Sequence, residues 1–495
     1  MNRFTQLLHN IFIACVLLAQ PIGAQTLDDQ LPGHCRRGVI HPHVEGQHPL
    51  RIDQQEEQQD PSHYIGLRRQ LVVMAKFADM SFVGDQAATL QQWDKIFNQV
   101  NLTESPFVGS VHDYFYHQSY GQLDLQFDLY YVTLSSPHGK YGSTMYGDEN
   151  SKYLVHEVAD ILNNQDIDWS LYDWNDDRYI DQIIIICPGK GSSYGGFGGD
   201  NKSIWPHQWW LSQHIESKAH PVGHDGQYLI DSYCAFTELS KSNDYGSFGI
   251  ICHEYSHCFG LPDFYYGGSN KVLGYWDLMD SGCYSDGGFR PVNYSAHERM
   301  CMGWMTPTEL TEPTTITEMP ALSDEPKAYL VRNENYANEY YIIENRQHKG
   351  WDQALPNSGI VVFHVEYDYN TWTSPSGHPN DGTRKRYHII PANNYSGVSQ
   401  SAGWAYPYAD NDELTNTSKP AAMLNLVNVD GTYFMSKPIT DMSVDDGLAS
   451  FTFMYGTIDI ASAQVKNEPS KELYRFGNVS IVRMPNGDIR KVIKK

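Results

Sequence analysis

The run 246–265 reads GSFGIICHEYSHCFGLPDFY and carries two histidines, a glutamate and an aspartate at spacings that could hold a metal ion. On a helix, His253 and His257 fall one turn apart on one face, so both imidazoles can reach a single cation. Glu254, next to the first histidine, can engage a water at that metal without being a ligand. Gly260 suits the left-handed residue that ends a helix, and Pro262 cannot continue it. The chain must turn back after Gly260, which can bring Asp263 under the same metal.

The elements around this run agree with it. Phe248, Ile251, Cys252, Tyr255, Cys258 and Phe259 follow the spacing of an apolar stripe, so the helix is expected to pack on a core through that side. Leu71–Phe77 and Leu123–Val132 read as strands. The β-branched run Ile183–Ile186, bounded by Pro188 and Gly189, reads as a central strand. Ser110 is an expected N-cap for a helix through Ser119 with Val111, Tyr114 and Phe115 on one face.

Three further features bear on the chemistry. Asp173, Asn175, Asp177 and Asp181 place oxygens at the opening positions of a calcium loop, although Arg178 stands where that loop has glycine and Ile184 where it has its closing glutamate. Met279, in the turn-rich stretch Gly274–Gly282, is expected to form a hydrophobic turn beneath the metal and to fix its ligands. Tyr284, five residues past Met279, is a candidate hydrogen-bond donor to an oxyanion formed at such a metal, and Glu298 is the alternative to Asp263 as third ligand.

The chain has 495 residues, enough for two or three domains, and a formal net charge of -24, which argues against nucleic acid or an anionic membrane surface as partner. Residues 1–24 have the pattern of a secretory signal, with Arg3 before a short apolar run and small residues near Gly23 and Ala24. The mature protein is therefore expected to be exported, to the medium or the cell surface, as a monomer without membrane insertion. Residues 25–66 are polar and read as a leader. Cys35 within it could ligate the metal as a thiolate and hold the enzyme latent, which would account for an odd thiol after removal of Cys15 with the signal. Residues 67–305 read as the catalytic domain, an α+β fold with a mixed sheet and the active-site helix. From 306 to 457 the strands Ala328–Val331, Glu339–Glu344, Gly359–Glu366, Arg386–Ile390 and Ala449–Met454, without helical periodicity, point to a β-sandwich. Residues 458–495 form a basic tail.

The segments GSVHDYFYHQSYG (109–121), IWPH (204–207), YWDLM (275–279), Gly303-Trp304, EYYIIENR (339–346) and GIVVFH (359–364) extend the pattern well beyond the metal motif. With H-E-x-x-H-x-x-G-x-x-D they make the chain resemble, over roughly residues 67–457, the immune-inhibitor-A family of secreted bacterial zinc metalloendopeptidases, a metzincin-like fold. The resemblance implies His253, His257 and Asp263 as zinc ligands, Glu254 as general base, Met279 as the Met-turn, a β-sandwich after the catalytic domain, and structural calcium. Protein or peptide substrates follow from it. A catalytically inactive surface binding protein, and hydrolysis of a non-protein amide, are the competing readings.

Overall fold

Four consecutive isoleucines, 183–186, offer water no polar side, and the strand they begin lies mid-sheet with both faces covered. The computed structural model describes residues 61–142, 149–193, 202–240, 245–246, 248–265, 272–373, 378–381 and 384–454, and the strands Lys471–Phe476, Val479–Arg483 and Ile489–Ile493. The signal segment, Cys35 and most of the leader fall outside the described residues.

The first sheet contains β1 (Gly66–Lys76), β2 (Leu123–Thr133), β3 (Ile183–Lys190), β4 (His207–Trp210) and β5 (Ser232–Leu239), in the order β2-β1-β3-β5-β4. All neighbours pair in parallel except the edge strand β4, which runs antiparallel to β5. Contrary to the boundary expected at Pro188 and Gly189, β3 runs on to Lys190. Its register against β5 shifts between Cys187 and Lys190, so a bulge absorbs the proline that a regular ladder would reject.

Side-chain alternation divides the core across this sheet. Val72, Met74, Ile184 and Ile186 point to one apolar cluster, and Leu71, Val73, Ile183 and Ile185 to another. The first is covered by α1 (Gln86–Asn98), α2 (Val111–Gln118) and α4 (Phe248–Ser256), the second by α3 (Ser151–Leu162). The Ser110 cap is present as a full capping box, with Asp113 returning the hydrogen bond to the Ser110 amide.

The second sheet comprises β7 (Tyr329–Arg332), β8 (Glu339–Arg346), β9 (Gly359–Glu366) and β10 (Tyr387–Ile389), with Thr308–Glu309 along its outer edge. A three-stranded antiparallel sheet, made of β6 (Thr314–Met319), β11 (Ile439–Asp445) and β12 (Leu448–Phe453), shares an apolar cluster with one of its faces, through Val331, Ile343, Val362, Ile439, Phe451 and Phe453. The opposite face, through Ile342, Val361, Phe363 and Val365, enters the same cluster as the α4 helix. The residues after 306 therefore help to build the core on which α4 rests. A short helix at Tyr369–Thr373 interrupts the all-strand pattern expected there, and the basic tail contains a three-stranded antiparallel meander. No helix among the described residues is long and apolar enough to cross a membrane.

Candidate metal centre

Helix α4 is buried along its whole length, not only along its expected apolar stripe. Its closest approach is backbone to backbone: a Cβ at Gly249 would lie 2.0 Å from the Cys283 carbonyl oxygen, so only glycine allows the helix to meet the turn that follows Met279. The helix tightens into a 3-10 turn over His257–Phe259 and ends at Gly260 in the left-handed conformation (φ 85°, ψ 9°). This is the reversal expected from Gly260 and Pro262, and it returns the chain so that Asp263 faces both histidines.

His253 donates Nδ1–H to the Leu278 carbonyl at 2.8 Å, and His257 donates Nδ1–H to the Leu261 carbonyl at 2.6 Å. A carbonyl only accepts, so both rings carry their proton on Nδ1 and present the Nε2 lone pair elsewhere. Both Nε2 atoms point at Asp263 Oδ1, at 3.1 Å from His253 and 3.4 Å from His257. Among the described residues this trio is the one group of three or more metal-capable side chains whose ligand atoms lie within 4.8 Å of one another. All three residues are 1% exposed.

Two neutral imidazoles and a carboxylate suit a borderline-soft divalent ion, and burying the carboxylate without a cation would be costly. The same demand for positive charge shows at His253. Burial opposes its charged form, yet the Asp263 carboxylate and Cys283 raise its pKa well above the ordinary value. The donor set therefore fits a metal.

Glu254, also 1% exposed, accepts the Gln208 N–H of edge strand β4 on Oε2 at 2.8 Å. That oxygen lies 3.8 Å from His257 Nε2, farther than the Asp263 oxygen, which suits a group beside the metal rather than a ligand. Met279, fully buried, accepts the Phe264 N–H at 2.9 Å, tying its turn to the residue after Asp263. The turn is closed by Asp280 Oδ2, which accepts the amides of Val272, Leu273 and Gly274 at 2.9, 2.8 and 2.9 Å. Asp280 and the Gln208 amide were missed in the sequence. Asp280 was legible as an acidic residue in a glycine-rich turn, whereas the Gln208 contact depends on where an edge strand ends up.

The other candidates lie elsewhere. Glu298 is the N3 residue of α5 (Ala296–Cys301), where Oε2 accepts the Ser295 N–H in a second capping box. Burial pushes its pKa up to about 7. Tyr284 sits half-buried in the turn Gly282–Gly288, against the same core as α4. In the 173–181 loop, Arg178 adopts φ 71°, the left-handed conformation usual for glycine. Asp173 accepts the amides of Asp177 and Arg178 at 3.1 and 2.9 Å, and Asp181 accepts the Trp174 amide at 2.6 Å. Ile184, at the closing-glutamate position, is buried in β3.

Parts of the chain are similar in sequence to known proteins. Residues 86–303 match the family described as immune inhibitor A peptidase M6, catalytic domain. The "Pre-pro-metalloprotease PrtV" of Vibrio cholerae serotype O1 is 29% identical over 180 residues, covering 32% of this chain and 19% of that protein. The "Immune inhibitor A" of Bacillus thuringiensis subsp. alesti is 30% identical over 131 residues, covering 25% of this chain and 18% of that protein. The chain thus spans under a fifth of the length of these curated relatives. A crystal structure of wild-type OgpA from Akkermansia muciniphila aligns over 60% of this chain and 88% of that chain, at 11% identity and a TM-score of 0.24, too low to support an argument. Residues 86–303, which hold all three convergent donors and Glu254, are thus similar to the catalytic domain of the immune inhibitor A peptidase M6 family.

Proposed function

We propose that the protein is an exported zinc-dependent endopeptidase that hydrolyses internal peptide bonds of proteins, with His253, His257 and Asp263 as metal ligands and Glu254 as general base. The observation that carries this reading is the convergence of two Nδ1-protonated imidazoles and one carboxylate beside a separately anchored glutamate. When bound, zinc supplies Lewis-acid polarisation of the scissile carbonyl and acidification of water.

The remaining work falls to the chain. The Leu278 and Leu261 carbonyls keep both imidazoles in the metal-binding tautomer. The Gln208 amide holds the Glu254 carboxylate in place, and Glu254 takes the proton of the attacking water and passes it to the leaving amine. Burial of all four side chains strengthens each of these interactions. Met279 supports the ligands through its carbonyl, which accepts the Phe264 N–H next to Asp263.

Casein hydrolysis by protein lacking residues 1–60, which keeps the buried Tyr64 and all of β1, tests the reading. Activity should disappear with a zinc chelator and return on adding zinc; hydrolysis unaffected by chelation, or absent with zinc present, would refute it. The sheet pair after residue 306 is read as a β-sandwich and the protein as a monomer.

Calcium in the 173–181 loop is proposed as a weak structural ion. The loop has the left-handed turn but, with Ile184 in place of a closing carboxylate, too few charges for tight binding. Millimolar calcium should raise Tm by a few degrees, and Asp173→Ala should abolish the rise; equal melting of both proteins with and without calcium would dismiss it.

A further inference from the structure

The Leu278 carbonyl that holds His253 and the Met279 N–H belong to one planar peptide group, so fixing one end fixes the other. The Met279 N–H is held by Asp277 Oδ1 at 2.8 Å, the short side-chain-to-backbone bond that acidic residues make two positions ahead. The backbone of Asp277 is pinned as well: its carbonyl accepts the Gly282 N–H at 2.8 Å, and a Cβ at Gly282 would lie 2.4 Å from that carbonyl. One residue further on, the Met279 carbonyl accepts the Phe264 N–H at 2.9 Å. Two successive carbonyls of one turn therefore reach the first histidine and the neighbour of the aspartate.

We propose that Asp277 is a positioning residue of the metal centre: by gripping the Met279 N–H it aims the Leu278 carbonyl at His253 Nδ1 and the Met279 carbonyl at Phe264 N, and so presents His253 and Asp263 to the metal.

The cost of keeping this carboxyl where it is supports the assignment. Asp277 is fully buried, and its Oδ2 has no hydrogen-bond partner among the described residues. Burial, then the nearby Glu298, raise its pKa well above the carboxylate range. An apolar residue would fill the space more cheaply, but it could not accept from the Met279 amide.

The inference rests on the zinc reading, and the test separates the two. Zinc affinity is measured by chelator competition, and the ligand field by the visible spectrum of the cobalt-substituted protein, for the wild type, Asp277→Asn and Asp277→Ala. An asparagine oxygen can still accept from the Met279 amide, so Asp277→Asn should stay within about threefold of wild type. Asp277→Ala should bind about 10–100-fold more weakly and show an altered cobalt spectrum, the range found when groups behind metal ligands are removed. Alanine behaving as wild type, or asparagine as weak as alanine, overturns the proposal. If Asp277→Ala does not fold, Asp277→Ser, whose hydroxyl can accept the same N–H, takes its place: affinity within about threefold supports the proposal and a tenfold loss overturns it. A wild type that binds neither metal refutes the zinc reading itself.

Discussion

Glu254→Gln is expected to lower kcat by about 10²–10⁴-fold, the usual worth of a positioned general base, while metal content and Tm stay at wild-type values. Glutamine has the shape of glutamate, and its amide oxygen can accept the Gln208 N–H that Oε2 accepts at 2.8 Å. The fold therefore loses little. The metal should stay because the proposed donor atoms are those of His253, His257 and Asp263, with Glu254 3.8 Å from His257 Nε2. What the variant cannot do is hold a proton between attack and departure of the amine. Steady-state kinetics beside metal analysis decide the matter. A kcat within threefold of wild type would remove Glu254 from the mechanism, and simultaneous loss of metal would make it a ligand.

Arg346→Met is expected to cost about 3–5 kcal/mol of stability, the penalty for removing one partner of a buried ion pair. The guanidinium is unexposed and grips both oxygens of Asp352 at 2.7 Å, Glu344 Oε1 at 3.1 Å and the Asn293 carbonyl at 3.1 Å. Glu344 in turn accepts the Ala296 amide at 2.7 Å, so Arg346 on β8 secures α5 from behind. Methionine would fill much of the volume and leave the carboxylates without their cation.

The loss should depend on pH. In the folded state Glu344 already has a raised pKa, with burial as the largest cause, and Arg346 opposes that rise. Without the arginine it would rise further. A carboxyl with a raised folded pKa binds its proton more tightly folded than unfolded, so its contribution is greatest at low pH and falls as pH rises through the folded value. Arg346→Met should therefore be nearest to wild type around pH 5 and most impaired around pH 8. Urea midpoints across that range test this, and a pH-independent deficit would contradict it.

Much of this centre was legible because it is local. The helical spacing of His253 and His257, the left-handed Gly260 and the return of the chain to Asp263 are short-range consequences of residue type, and the structure shows each of them. The Ser110 cap and Gly359–Glu366 were legible for the same reason. What escaped the sequence depends on long-range packing. That α4 is buried all round follows from the turn after Met279 and from β8 and β9, contributed by residues far along the chain. The bulge at Pro188 and Gly189 needs a neighbouring strand to define it. Glu298 could compete with Asp263 as third ligand on residue type alone; only the fold shows it committed to the Ser295 amide.

The most direct test of the metal centre is the metal content of the purified wild type beside that of Asp263→Ala and Glu298→Gln, the last keeping an oxygen that can accept the Ser295 amide. The proposed ligand assignment predicts one equivalent of zinc in the wild type and in Glu298→Gln and its loss from Asp263→Ala. A wild type without zinc, or an Asp263→Ala protein that retains it while Glu298→Gln does not, would contradict the assignment of His253, His257 and Asp263 as the ligands.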